Sequence, residues 1–135
     1  MGAILQTPVD FQVTNITPYY PTPDAIDTTI NRLYCFRMKS YHLIITSQNK
    51  QQQSLLIEDK NYEATITSTT TGYIRRGDRV WIKNNFIGNI IGFGREHPSK
   101  PISIIVSPER GNASAKDHLF IGNNITIDST FVLLI

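Results

Sequence analysis

Residues 77–93 read Gly-Asp-Arg-Val-Trp-Ile-Lys-Asn-Asn-Phe-Ile-Gly-Asn-Ile-Ile-Gly-Phe, and no other stretch constrains the fold as strongly. Val80 and Ile82 alternate with Arg79, Trp81 and Lys83, the two-residue period of a strand buried on one face. Asn84-Asn85 follows. Asn tolerates positive φ better than other residues with a Cβ, so the pair predicts a tight I′ turn. That turn sets Ile82 opposite Ile87 and Trp81 over Gly88, a large ring above a residue with no side chain. The unit is a β-hairpin of the kind that builds small closed sheets.

The rest of the chain supports the same class. From residue 41 onward, runs rich in Ile, Thr and Val are punctuated every eight to twelve residues by turn signals, the mark of a sandwich or barrel. Strands are expected at 42–47 and 54–59 around a polar loop, then at 62–73, 102–106, 118–121, 125–128 and 131–135. The fold class predicted is mainly β: a single antiparallel β-sandwich or small barrel of about eight strands, with one short N-terminal helix. The helix is placed at 24–32. Thr22 would cap it, Pro23 suits its first position, and Ile26, Ile30, Leu33 and Tyr34 recur at helical spacing. The strand-like Leu33-Tyr34-Cys35-Phe36 argues against extending it.

Residues 1–23 read as a proline-rich extended arm preceding one β-rich domain, 24–135. Pro8, Pro18, Pro21 and Pro23 disfavour a central strand. Between them Phe11, Val13 and Ile16 alternate enough to add to a sheet edge, either that of its own domain or a neighbouring subunit's. A chain of 135 residues buries a core without staples. Phe131, Val132, Leu133, Leu134 and Ile135 form an apolar strand that must be covered.

Composition excludes more than it assigns. The formal charge of +2 gives no global case for nucleic acid. Charged residues are 18%, below the roughly 25% usual in soluble domains, as suits a surface partly buried in an assembly. Cys35 is the sole cysteine, so no intrachain disulfide exists, and beside Tyr34 and Phe36 it reads as a small core residue. No secretory h-region and no membrane-length apolar run is evident, so a cytoplasmic or virion-associated location is expected.

Gly77-Asp78-x-Val80-x-Ile82, with Gly88 and Ile90 downstream, resembles the opening of KOW and other SH3-like barrels, where a Gly-Asp turn feeds a strand and a later Gly marks a tight bend. In nucleic-acid-binding barrels of that kind, basic and aromatic side chains share a face. The resemblance therefore implies a candidate face at Arg75, Arg76, Arg79, Trp81, Lys83 and Arg95. Arg76-Gly77-Asp78 is also the tripeptide that integrins read on an exposed loop. Gly92-Phe93-Gly94 lacks the third glycine and helix of a dinucleotide loop. His42, His97 and His118 show no zinc spacing with Glu96, Asp117 or Cys35. No catalytic, cofactor or metal residue is predicted.

The leading expectation is a non-enzymatic structural or assembly subunit, as in a virus or phage particle. Its partners would be copies of itself or other subunits, met through Phe11, Val13, Tyr19, Tyr20 and the 131–135 strand. The alternative is a nucleic-acid-binding SH3/KOW-like or OB-like barrel using the 75–83 face.

Overall fold

The computed structural model describes residues 3–5, 8–19, 31–45, 61–94, 101–109, 119–129 and 132–134. Among these residues eleven strands follow in chain order: β1 (Ala3–Leu5), β2 (Val9–Tyr19), β3 (Arg32–Cys35), β4 (Ser40–Ile45), β5 (Asn61–Ser68), β6 (Gly72–Arg75), β7 (Arg79–Ile82), β8 (Asn85–Gly94), β9 (Ser103–Pro108), β10 (Asn124–Asp128) and β11 (Val132–Leu134). Seven of them close into a barrel in the order β10-β2-β5-β4-β9-β8-β7, while β1 with β11 and β3 with β6 make two small separate sheets. The fold is a barrel, and the sandwich alternative is excluded. The ring is also not purely antiparallel, because β4 and β9 run parallel. Strand directions that alternate around a closed ring of odd number must agree at one seam at least, and β4–β9 is that seam.

Alternation builds the interior. Val9, Phe11 and Val13 of β2, Tyr41, Leu43 and Ile45 of β4, Ala64 and Ile66 of β5, and Val80 and Ile82 of β7 all point into one core. Ile104 and Val106 of β9 and Ile125 and Ile127 of β10 complete it. Phe11 meets Tyr41 edge-to-face, with centroids 6.1 Å apart, a preferred aromatic geometry. Ile44 and Ile105 form a second buried cluster with the partly covered Ile91.

Two sequence expectations, the helix and the hairpin turn, need correction. No helix occurs among the described residues; Arg32, the last residue assigned to one, opens β3, and residues 24–30 lie outside the described segments. Of the two alternatives for the alternating segment of residues 1–23, the structure shows it packed in its own domain, as the middle of β2, a barrel strand flanked by β10 and β5. The hairpin turn lies one residue earlier than Asn84-Asn85: positive φ falls on Lys83 (50°) and Asn84 (70°). Trp81 therefore pairs with Phe86, and Gly88 faces Val80 across a bulge between Val80 and Trp81. Asn85 is more useful outside the loop, where its amide donates to the carbonyls of Ile82 and Lys83 at 3.3 and 3.2 Å.

Gly88 also pairs with Pro108 of β9. A Cβ at this position would run into the Ser107 carbonyl oxygen, so the close approach of the two backbones requires glycine.

Candidate binding surface

Within the predicted basic face, Arg79 and Trp81 share one carboxylate partner. Arg79 donates from Nε and Nη2 to the two carboxylate oxygens of Asp128, at 2.9 and 3.2 Å. Trp81 Nε1 donates to the same Asp128 Oδ1 at 3.1 Å, and its ring packs on Phe86 at 5.2 Å. One carboxylate from β10 thus occupies both the cation and the indole N–H, and fork-to-fork pairing of this kind holds a guanidinium in place. Lys83 is exposed on the β7–β8 turn. Arg76 is exposed with Nη2 3.4 Å from Asn31 Oδ1, and Arg95 lies outside the described residues.

The integrin-type tripeptide is not displayed. Asp78 is 2% exposed, and its Oδ2 accepts the Arg75 backbone N–H at 2.7 Å. Gly77 takes φ +95° to make the turn. Asp78 is a brace for the β6–β7 connection, and burial raises its pKa above the usual carboxylate value, the Arg75 hydrogen bond opposing that shift. Its Oδ1 and the nearby Arg75 Nε are both buried without a hydrogen bond.

A different surface gathers three of the exposed aromatic side chains among the described residues. In the β3–β6 sheet, Leu33 pairs with Ile74 and Cys35 with Gly72, while Arg32 pairs with Arg75 and Tyr34 with Tyr73. Cys35 and Ile74 belong to the barrel core and Leu33 packs against it. The sheet therefore caps the core with one face and presents Arg32, Tyr34 and Tyr73 on the other. Phe36 continues that outer row. Tyr34 is 37% exposed, Tyr73 43% and Phe36 54%.

The three rings form a continuous cluster. Tyr34 is 4.7 Å from Phe36 and 4.7 Å from Tyr73, both in edge-on contact. Cations frame them: the Arg32 guanidinium stands 4.7 Å from the Tyr73 centroid, and Lys39 Nζ stands 6.0 Å from that of Phe36 and 5.8 Å from that of Tyr41. Arg37 is exposed on the turn after β3. Arg32, Arg37 and Lys39 make no ion pair with a carboxylate among the described residues. Arg32 and Arg75 sit directly opposite each other, a like-charge pair that disfavours the bare sheet. The patch is thus apolar at its centre, cationic at its rim and, among the described residues, short of anions.

Below this patch the Cys35 thiol is buried, which pushes its pKa up to about 12 against a hydrogen bond from Tyr41 and the field of Lys39. Burial also raises the Tyr41 pKa, and its hydroxyl accepts the Phe36 backbone N–H at 3.0 Å. The phenol therefore ties the last aromatic of the platform to the core.

Of the expected assembly residues, Phe11 and Val13 are sealed in the core and are not available to a partner while the barrel is closed. Tyr19 ends β2, paired with Asn61. Val132, Leu133 and Leu134 form β11, paired with Leu5, Ile4 and Ala3; Tyr20, Phe131 and Ile135 lie outside the described residues. His42 lies in β4, and His97 and His118 are likewise outside the described set. The residues that sequence reasoning missed are Arg32, Tyr34, Phe36, Lys39 and Tyr73. Their signal was present: in 32–36, Leu33 and Cys35 alternate with Arg32, Tyr34 and Phe36, a period of two overshadowed by the helical spacing read through Leu33 and Tyr34.

Fold and surface together define a closed β-barrel with an aromatic, cationic cap. The chain belongs to DUF6917, a family of unknown function, whose model matches residues 26–128. That span runs from ahead of β3 to the end of β10, so it includes the whole cap and leaves out β2 and the terminal sheet. Comparison with curated proteins and with solved structures finds no match.

Proposed function

We propose that this is a non-enzymatic binding protein whose β3–β6 cap takes single-stranded nucleic acid. The observation that carries the reading is the exposed Tyr34–Phe36–Tyr73 cluster ringed by cations without described carboxylate partners. Flexible single strands offer what such a surface lacks: π-faces for the rings and phosphates for Arg32, Arg37 and Lys39. Duplexes hide their bases in the stack and suit it less. The modest net charge of +2 is compatible, since the cations are gathered locally rather than spread.

Fluorescence anisotropy with a labelled mixed-sequence single strand of about a dozen nucleotides tests this. Tyr34→Ala and Phe36→Ala should each weaken binding by roughly five- to a hundredfold, the range of one lost base–aromatic stack. Affinity should fall steeply with salt, and Arg32→Ala should reduce that slope. Trp81→Ala should have little effect. Binding indifferent to both Tyr34 and Phe36 sinks the reading.

A second reading, self-association, is favoured by the terminal sheet. β1 and β11 pair with each other and with no other described strand, so among the described residues nothing pairs with the outer edges of this apolar two-stranded ribbon. Such ribbons are marginal alone and invite strand addition. Light scattering over a concentration series decides it. A defined multiple of the 15.3 kDa chain that collapses to a single shortened chain on removal of residues 131–135 supports assembly; a monomer throughout rejects it.

A further inference from the structure

We infer that Met38 is a ligand-contacting residue of the cap, placed to lie against the apolar face of a nucleobase. The inference deepens the nucleic-acid reading and rests on it. Two independent observations meet at this residue. Met38 has φ +73°, the left-handed region that side chains with a Cβ avoid and that glycine or asparagine enters at lower cost. It is also 75% exposed, the most exposed large apolar side chain among the described residues.

The turn itself explains neither. Lys39 N–H donates to the Phe36 carbonyl at 3.1 Å and Met38 N–H to the Ser68 carbonyl at 2.7 Å, while Arg37 N–H donates to Thr71 Oγ1 at 3.1 Å. With positive φ at its third position this is a type II turn, whose sequence preference there is glycine. Every one of these hydrogen bonds uses backbone N–H groups that glycine would supply equally. A long thioether at this position is therefore unfavourable for the backbone and, being exposed, contributes little packing. Strained residues that survive without a packing reason cluster at ligand sites.

Its location fits such a role. Met38 follows Phe36 by two residues, on the turn that carries Arg37 and Lys39 at the rim of the aromatic cluster. Thioethers are polarisable, adapt to irregular surfaces and make favourable contacts with ring systems. A base landing on Tyr34 and Phe36 would meet the Met38 side chain at its edge or face, and the two adjacent cations would serve its phosphates.

The test pairs binding with stability in the full chain. Met38→Gly should weaken the single-strand anisotropy titration roughly two- to tenfold, the range of one sulfur–ring contact. Met38→Leu should stay within about twofold, because length and apolarity are kept. The unfolding midpoints of Met38→Gly and Met38→Asn should lie within about 2 °C of the parent or above it, since relief of the left-handed strain offsets lost chain stiffness. Phe120→Ser, at an exposed apolar position on the turn beside β2, should leave affinity unchanged.

If Met38→Gly binds as the parent does while Tyr34→Ala does not, the Met38 inference is overturned and the platform stands. If Tyr34→Ala and Phe36→Ala also bind normally, or the parent binds no single strand, the platform reading itself falls and takes this inference with it. A midpoint drop of more than about 5 °C in Met38→Gly would instead mean that the side chain holds the turn, which equally overturns a ligand role.

Discussion

At the residue scale, burial sets the chemistry of the cap's ionisable groups. Cys35 sits in the core with its pKa near 12, so it carries almost no thiolate at neutral pH and is inert. Native protein at pH 8 should not react with a thiol-disulfide reagent, whereas denatured protein should react fully; labelling of the folded state would contradict its place in the core. Asp78 illustrates the other sign. Its folded pKa lies above its unfolded value because burial penalises the charge. The folded state therefore holds the proton more tightly, and the Asp78 contribution to stability is lost as pH rises from about the unfolded value of 3.8 through the raised one. Asp78→Asn should remove that component. Denaturant unfolding at several acidic pH values should show the variant gaining on the parent as pH increases. Gly88 is constrained by space rather than charge. Gly88→Ala forces a Cβ into the Ser107 carbonyl and should cost about 3 kcal/mol or more, readable as a shifted denaturation midpoint.

At the scale of elements, the β7–β8 hairpin was legible because its inward residues, Val80 and Ile82, keep a strict period of two. Its turn and register were not. The sequence contains two adjacent asparagines, and the choice between them rests on long-range facts: Lys83 N–H bonds to the Asn124 carbonyl at 3.0 Å, and the Val80–Trp81 bulge absorbs the mismatch. Strand β8 hides a further irregularity. Its inward residues are Ile87, Ile90 and Phe93, a spacing of three produced by bulges that no local periodicity announces. The cap was missed for a related reason: a four-residue strand offers too few alternations to outweigh a helical pattern. Two predictions belong to these elements. Lys83→Gly, which frees a positive-φ position, should leave stability unchanged or raise it by up to about 1 kcal/mol. Asp128→Ala should cost about 1–2 kcal/mol by releasing both Arg79 and Trp81, measured by chemical denaturation, while leaving binding at the cap intact.

For the whole molecule, barrel and sandwich could not be told apart from sequence because closure depends on which distant strands meet. The β4–β9 seam joins residues about sixty positions apart, and no local signal encodes such a partner. The seam also divides the ring in a particular way. β2, β5 and β4 are adjacent in space and lie before residue 69, whereas β9, β8, β7 and β10 are adjacent and lie after residue 78. Each group is a continuous sheet drawn from one half of the chain, and the halves meet at two lines, β4 against β9 and β2 against β10. The cap spans the division, since β3 comes from the first half and β6 from the connection between them. Fragment complementation follows from this arrangement. Cut between Ser68 and Gly72, the two pieces should each lack a closed interior and stay unstructured alone, yet regain the parent's strand circular dichroism when mixed. Because Tyr34 and Tyr73 would then arrive on different polypeptides, a functional cap would itself report that the two pieces had found each other.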